Sequence, residues 1–271
     1  MTRAGGAPIG PEAQEGARGE ETRARVRARD DGRVRVLTLD RPEARNALDA
    51  ATRQELIAHL QAAEADEGVG AVVLTGEGSC FAAGADLREL LARSEEEQRA
   101  FLQPPHIYSV VEGLRKPVVA AINGHALGAG LELATACDVR VCSDEAKLGQ
   151  PEIQLGLIPG GGGTQRLVRL VGAGAAARLV LTGDAVKADE ALRIGLVDRV
   201  VPPGRVVAES LGIAHAMARH DPDALAAAKR ALHDAILLPY AQGLAAEVEA
   251  FVALHGRAAT RARIQGFLEK R

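Results

Sequence analysis

Apolar positions in the first half of the chain follow two alternating periods, and in the second half they follow only one. Residues 34–39 (VRVLTL) alternate as a half-buried strand does, and Arg41-Pro42 ends the run. Asp49 is placed to cap a helix reaching to about Asp66, with Leu56, Ile57 and Leu60 on one face. Residues 71–75 read as a buried strand that empties into a loop holding Gly76, Gly78 and Gly84. Helices over 87–91 and 95–115 follow, the second broken at Pro104-Pro105. The β-branched run 117–122 reads as another buried strand, followed by a helix after Gly130 and a strand over 138–142. From Gln165 the period is helical: 165–171, 174–181, 188–194, 204–219, 222–236, 240–256 and 257–270, interrupted by a short strand at 196–202. Strand and helix in alternation predict an α/β fold with parallel pairing in front and a helical region behind. Residues 1–30 carry no apolar period and read as a disordered tail, so order is expected to begin at Val34. The expected layout is that tail, a core over 31–203 and a helical region over 204–271. No internal repeat is visible in the sequence.

Composition narrows the function classes. With 271 residues, 47% apolar and 25% charged, the chain has the balance of a soluble globular protein. It has no Trp, two Tyr and four Phe, too few aromatics for stacking nucleic-acid bases. A net charge of −3 gives no overall pull toward nucleic acid or a membrane surface. Arg23, Arg25, Arg27 and Arg29 form a local basic cluster, diluted by Glu12, Glu15, Glu20 and Glu21. Three cysteines (Cys80, Cys137, Cys142) without a signal peptide point to a reducing, cytoplasmic setting. No second Cys/His pair completes a zinc set and no metal-binding histidine motif occurs, so neither metal nor cofactor is expected. No apolar run reaches the ~18 residues a membrane span needs.

Two glycine-rich turns carry the candidate chemistry. Residues 81–90 (FAAGADLREL) deliver Ala85 to a helix start, and Gly128-Ala129-Gly130 does the same after the strand at 117–122. Helix starts present unpaired backbone N–H groups, and two that converge can stabilise one developing oxyanion. An Asp86 N-cap accounts for the first turn equally well. Glu132 lies inside the apolar run 131–136, where an unpaired carboxylate is costly, so it is paired, protonated or catalytic. A salt bridge to Arg140 or Lys147 is the plain structural alternative. Glu152 follows Gly149-Gln150-Pro151, whose stiff backbone can aim it back at the second turn. The glycine run 160–163 lacks the Gly-Lys-Ser/Thr ending of a triphosphate loop, and Gly128-x-Gly130 lacks the third glycine of a dinucleotide fingerprint.

Taken together, RPEARNAL (41–48), FAAGADLREL (81–90), KPVVAAINGHALGAGLELATACDVRV (116–141) and GQPEIQLGLIPGGGGTQRL (149–167) resemble the enoyl-CoA hydratase/isomerase (crotonase) family, and within it the hydratases. The resemblance covers roughly residues 30–271. It implies a spiral of ββα units with a C-terminal helical region used in trimerisation, trimers commonly pairing into hexamers. It implies that the N–H groups of Ala85 and Ala129 form an oxyanion hole for a thioester carbonyl. Ala83, Asp86, Leu87, Arg88, Gly128, Gly130, Pro159 and Gly160 would line the acyl-CoA site. Glu132 and Glu152 match the two glutamates of hydratases, the first as base and the second as acid. The implied reaction is reversible syn addition of water to a trans-2-enoyl-CoA, with coenzyme A present only as part of the substrate. The family often carries Gly where Ala129 stands; a positive φ there would cost Ala roughly 1–2 kcal/mol. The alternatives are an enoyl-CoA isomerase, a hydratase for branched or aromatic-derived acyl groups, and an RNA-binding protein on the same scaffold.

Overall fold

The computed structural model describes residues 24–269. In chain order its elements are β1 (Val26–Asp31), β2 (Val34–Leu39), α1 (Ala50–Ala65), β3 (Ala71–Gly76), β4 (Cys80–Ala82), α2 (Leu87–Ala92), α3 (Glu95–Phe101), α4 (Ile107–Gly113), β5 (Val118–Ile122), β6 (His125–Leu127) and α5 (Ala129–Ala136). Then come β7 (Val139–Ser143), β8 (Lys147–Gly149), a 3-10 turn (Pro151–Leu155), α6 (Gly163–Thr182), β9 (Val186–Lys187), α7 (Ala188–Arg193), β10 (Arg199–Val201), α8 (Val206–Ala218), α9 (Pro222–Leu237), α10 (Tyr240–His255) and α11 (Ala258–Leu268).

Six strands form one sheet in the order β1-β2-β3-β5-β7-β10, parallel except for the β1–β2 hairpin. Both faces of its centre are covered, and β3 and β5 are buried throughout, with Thr75 the one polar side chain between them. Val36, Val73, Val119 and Val141 pack against Val206, Ala214 and Ala218 of α8. Leu37, Leu74 and Ile122 face the larger core with Leu56 and Leu60 of α1 and Leu131 and Leu133 of α5. A second sheet, β4-β6-β8-β9, is built from strands of two or three residues. The chain thus repeats one unit: a strand in the large sheet, a short strand in the small one, then a helix. β3-β4-α2, β5-β6-α5 and β7-β8-α6 are three turns of the expected ββα spiral. The sequence hides this repeat because a three-residue strand is too short to show a period of two.

One expectation is corrected. Order does not begin at Val34: 26–31 is a strand, paired with β2 from Val26↔Leu39 to Asp31↔Val34. The hairpin turns through Gly32 at φ +56, a conformation that glycine adopts without strain. Of β1 only Val26 is buried, so the strand offers no apolar alternation to read. The proposed tail over 1–23, with Arg23, lies outside the described residues.

At the C-terminus, α9 buries only Asp234, and α10 and α11 bury no residue. Leu232, Ile236, Tyr240, Phe251 and Phe267 all stand exposed there. No helix among the described residues is long and apolar enough to cross a membrane.

Candidate active site

The small sheet positions the site. β4 and β6 run parallel, with Ala82 opposite Ala126, so the segments leaving them emerge side by side. β8 lies on the other side of β6, with Leu127 opposite Gly149, and releases Gln150–Glu152 at the same edge. Gly128 N–H donates to Gly149 O at 2.9 Å, tying the second and third exits together.

The two expected oxyanion turns meet. A Cβ placed on Gly128 would lie 3.9 Å from Gly84 Cα and 2.8 Å from Glu152 Oε1. Gly128 caps α5 at φ +51, so it is Gly128 and not Ala129 that needs the left-handed backbone. Ala129 is the first residue of α5, and its methyl group carries no backbone strain. Among the described residues neither Ala85 N–H nor Ala129 N–H has a hydrogen-bond acceptor. Gly130 sits behind this turn: a side chain there would overlap the Ala82 carbonyl, so glycine lets α5 touch β4.

Residues 41–48 brace the first turn from outside. Ala83 N–H donates to Arg45 O at 3.0 Å and Leu48 N–H to Gly84 O at 2.8 Å. Asn46, at φ 55, accepts from Arg41 N–H and donates to Glu77 O and Cys80 O. Arg41 pairs with Asp49 at 3.0 Å and with Asp86 at 3.4 Å. Asp86 caps α2; burial opposes its charge, but the Glu89 and Arg88 amides and Arg41 hold its carboxyl below the usual range. The N-cap role and the brace are therefore both present. Leu87 and Arg88 stand exposed on α2, at the mouth of the site.

Glu132 is 3% exposed, and its partner is neither Arg140 nor Lys147. Arg140 pairs with Asp198 at 3.0 Å, and Lys147 is exposed. Instead, Glu132 Oε1 accepts from Gly161 N–H at 2.7 Å and from Gly163 N–H at 2.8 Å. The two amide donors fix Oε1, and Oε2 has no hydrogen-bond partner among the described residues. The glycine run that resembles a phosphate loop is thus a cradle for a carboxylate. Pro159 is buried beside it, 2.8 Å from where a Gly163 Cβ would lie, and Gly160 faces Leu102.

Glu152 lies in a desolvated setting without such amide donors from the glycine run. Burial pushes its carboxyl up to about 7; its own backbone N–H pulls it down slightly, and the charge on Glu132 raises it further. The buried Gln150 amide adjoins it, and with the nitrogen turned toward the carboxyl it donates to both oxygens at 3.0 and 3.1 Å. With the amide oxygen turned that way, only a protonated Glu152 can complete the bond. One carboxyl is fixed in place by backbone amides, and its neighbour is poised to carry a proton near neutrality.

Sequence reasoning overlooked Gln150, Gly161, Gly163 and Tyr108. The Tyr108 ring packs where a Gly161 side chain would go, beside Glu132 Oε2, and burial pushes its hydroxyl up to about 12. Gln150 stood in plain view between Gly149 and Pro151, but a lone Gln carries no motif. Tyr108 had no signal beyond a helical period.

Two adjacent turns whose Ala85 and Ala129 N–H groups are unpaired among the described residues, with two unlike carboxyls beside them, suit a protein that polarises a carbonyl and moves protons at adjacent carbons. The family model for enoyl-CoA hydratase/isomerase matches residues 29–271, and the chain belongs to that family. It is 44% identical to the 2,3-dehydroadipyl-CoA hydratase of Escherichia coli K12 over 88% of this chain and 93% of that protein. It is 42% identical to the short-chain-enoyl-CoA hydratase of Clostridium acetobutylicum over 89% and 93%. A solved enoyl-CoA hydratase subunit from Geobacillus kaustophilus superposes with a TM-score of 0.87 at 36% identity, over 92% of this chain and 96% of that one.

Proposed function

We propose that the protein is an enoyl-CoA hydratase, adding water reversibly and syn across a trans-2-enoyl-CoA to give the 3-hydroxyacyl-CoA. The observation that carries this reading is the unlike pair of acids at one sheet edge: Glu132 held by two amides, Glu152 with its carboxyl up at about 7. In the hydration direction Glu132 Oε2 takes a proton from water as its oxygen bonds to Cβ. The π electrons move onto the thioester oxygen, which the N–H groups of Ala85 and Ala129 stabilise, one such donor being worth ~2.7–4 kcal/mol. Glu152 then delivers its proton to Cα as the carbonyl reforms. The proton left on Glu132 returns to Glu152 through the next water, so no metal or redox cofactor is called for.

The test is hydration of crotonyl-CoA, followed as loss of enoyl-thioester absorbance, in Glu132→Gln and Glu152→Gln. Each substitution is expected to lower kcat by at least ~10² with the fold intact; full activity in both would reject the assignment. Assaying a 3-enoyl-CoA for 2-enoyl product separates the isomerase reading. The carboxylate partners of three cluster arginines weigh against the RNA-binding reading: Arg25 pairs with Asp49, Arg27 with Asp40 and Glu77, and Arg29 with Asp31. The apolar, unburied surfaces of α9–α11 support assembly into a homotrimer or a hexamer. Buried free thiols at Cys80, Cys137 and Cys142 support a reducing, cytoplasmic setting.

A further inference from the structure

Arg53 occupies a position that the pattern of its own helix assigns to an apolar side chain. The inward stripe of α1 is Arg53, Leu56, Leu60 and Ala63, and Arg53 is only 8% exposed. A buried cation is ordinarily held by a carboxylate, because an unpaired one is costly. Two neighbouring arginines obey that rule: Arg93 pairs with Glu89 at 2.6 Å and Arg166 with Glu112 at 2.6 Å. Among the described residues Arg53 has no carboxylate within ion-pair distance. Its Nε donates to Leu48 O at 3.1 Å and its Nη1 to Tyr108 Oη at 3.2 Å. Its guanidinium carbon lies 4.9 Å from the centre of the Phe101 ring. Nη2 has no hydrogen-bond partner among those residues, yet it is not sealed off, since the only sealed, unpartnered side-chain polar atom among them is Thr52 Oγ1.

The guanidinium also stands at the site. Leu48, whose carbonyl it holds, bridges to Ala85 of the oxyanion turn. Tyr108, whose hydroxyl it holds, packs beside Glu132 at Gly161. Phe101, under its face, precedes Leu102, which lies 3.5 Å from where a Gly160 Cβ would be. Resting on the hydratase reading above, we infer that Arg53 is the receptor for a carboxylate at the far end of the acyl group, so that the preferred substrates are enoyl thioesters of dicarboxylic acids. A guanidinium with an open nitrogen in a site walled by apolar side chains recognises a carboxylate far better than a methyl end.

The experiment is equilibrium binding of two saturated thioesters that cannot be hydrated, adipyl-CoA and hexanoyl-CoA, to wild type, Arg53→Met and Arg53→Lys at equal protomer concentration. Wild type is expected to bind adipyl-CoA more tightly, and Arg53→Met to lose roughly 10–100-fold on adipyl-CoA. Hexanoyl-CoA should change by less than about threefold, with Arg53→Lys between the two on adipyl-CoA. Equal loss on both thioesters, or no loss on either, would make Arg53 a packing residue and overturn the proposal. Should Arg53→Met fail to fold, the wild-type ratio decides alone: tighter binding of hexanoyl-CoA overturns it, and tighter binding of adipyl-CoA that weakens with added salt upholds it. Binding needs no turnover, so absent hydration with this affinity pattern intact would count against the hydratase reading only.

Discussion

Replacing Glu152 by Gln tests the electrostatics and the chemistry together. In the folded protein burial lifts the Glu152 carboxyl from 4.5 to about 7. At about 1.4 kcal/mol per pH unit, ionising it in place costs up to ~3.4 kcal/mol, which the half-exposed setting and solvent screening reduce to roughly 1–2 kcal/mol. The sign follows from proton counts. Between pH 4.5 and about 7 the native state keeps a proton that the unfolded chain has lost, so this group's contribution is fully present below 4.5 and is lost as pH rises through 7. Glutamine does not titrate. The stability of Glu152→Gln relative to wild type should therefore increase from pH 5 to pH 8.5, by roughly 2–8 °C in Tm for a chain of this size. Thermal unfolding of both proteins at matched protomer concentration, across that range, measures it. In the same range wild-type kcat/KM for hydration should fall about tenfold per pH unit above 7, because the acid must be protonated. Dehydration of the 3-hydroxyacyl-CoA should fall in step through the same pH, because the overall reaction takes up no proton and its equilibrium constant ties the two directions together. A Tm difference that is constant from pH 5 to pH 8.5 would refute the raised carboxyl, and with it the assignment of Glu152 as the acid.

Other outcomes follow from single contacts. Gly161→Ala would drive a methyl group into the Tyr108 ring and to 2.6 Å from Glu132 Oε2; displacing that carboxylate should cost at least about 10² in kcat, and kinetics close to wild type would show that the cradle is not needed. Asn46→Ala removes the amide that holds Cys80 O at 2.7 Å and puts Ala at φ 55, for a loss of roughly 2–4 kcal/mol on urea unfolding. Asn46→Gly should recover the backbone part, so equal stabilities for the two variants would contradict the strain argument. Phe251→Arg places a charge on the exposed apolar surface of α10 and should shift the protein to a smaller assembly in size-exclusion chromatography. An unchanged elution volume would clear that face of a role in assembly.

The centre of the large sheet was legible in the sequence because β3 and β5 are buried on both faces, so 71–75 and 117–122 read as mainly apolar runs. The C-terminal helices were equally plain, each keeping its period for three turns or more. The small sheet was not, since Cys80–Ala82 and His125–Leu127 are three residues long and their pairing is set by the chain around them. The two glutamates could be singled out by their misplaced charge and matched to a family. The partners of Glu132 could not, because backbone N–H groups of Gly161 and Gly163 carry no side-chain signature. Lys147 and Arg140 were the visible cations, and neither was the answer. Strand β1 escaped for the opposite reason: four of its six residues point into solvent, so its identity lies in the hairpin and not in its own composition.

The walls around the reacting bond differ in kind. The end formed by the second glycine turn is locked by backbone, with glycines at 128 and 130 pressed against Glu152 and Ala82, and almost any added atom there collides. The opposite wall is three short helices, α2 to α4, in which α2 and α3 bury no residue and touch the site through side chains such as Phe101 and Leu102. Substitutions on α2 and α3 can therefore accumulate without disturbing the chemistry, whereas α4 keeps Tyr108 packed beside Glu132. A lineage built on this frame can exchange one acyl group for another while the catalytic step is inherited unaltered.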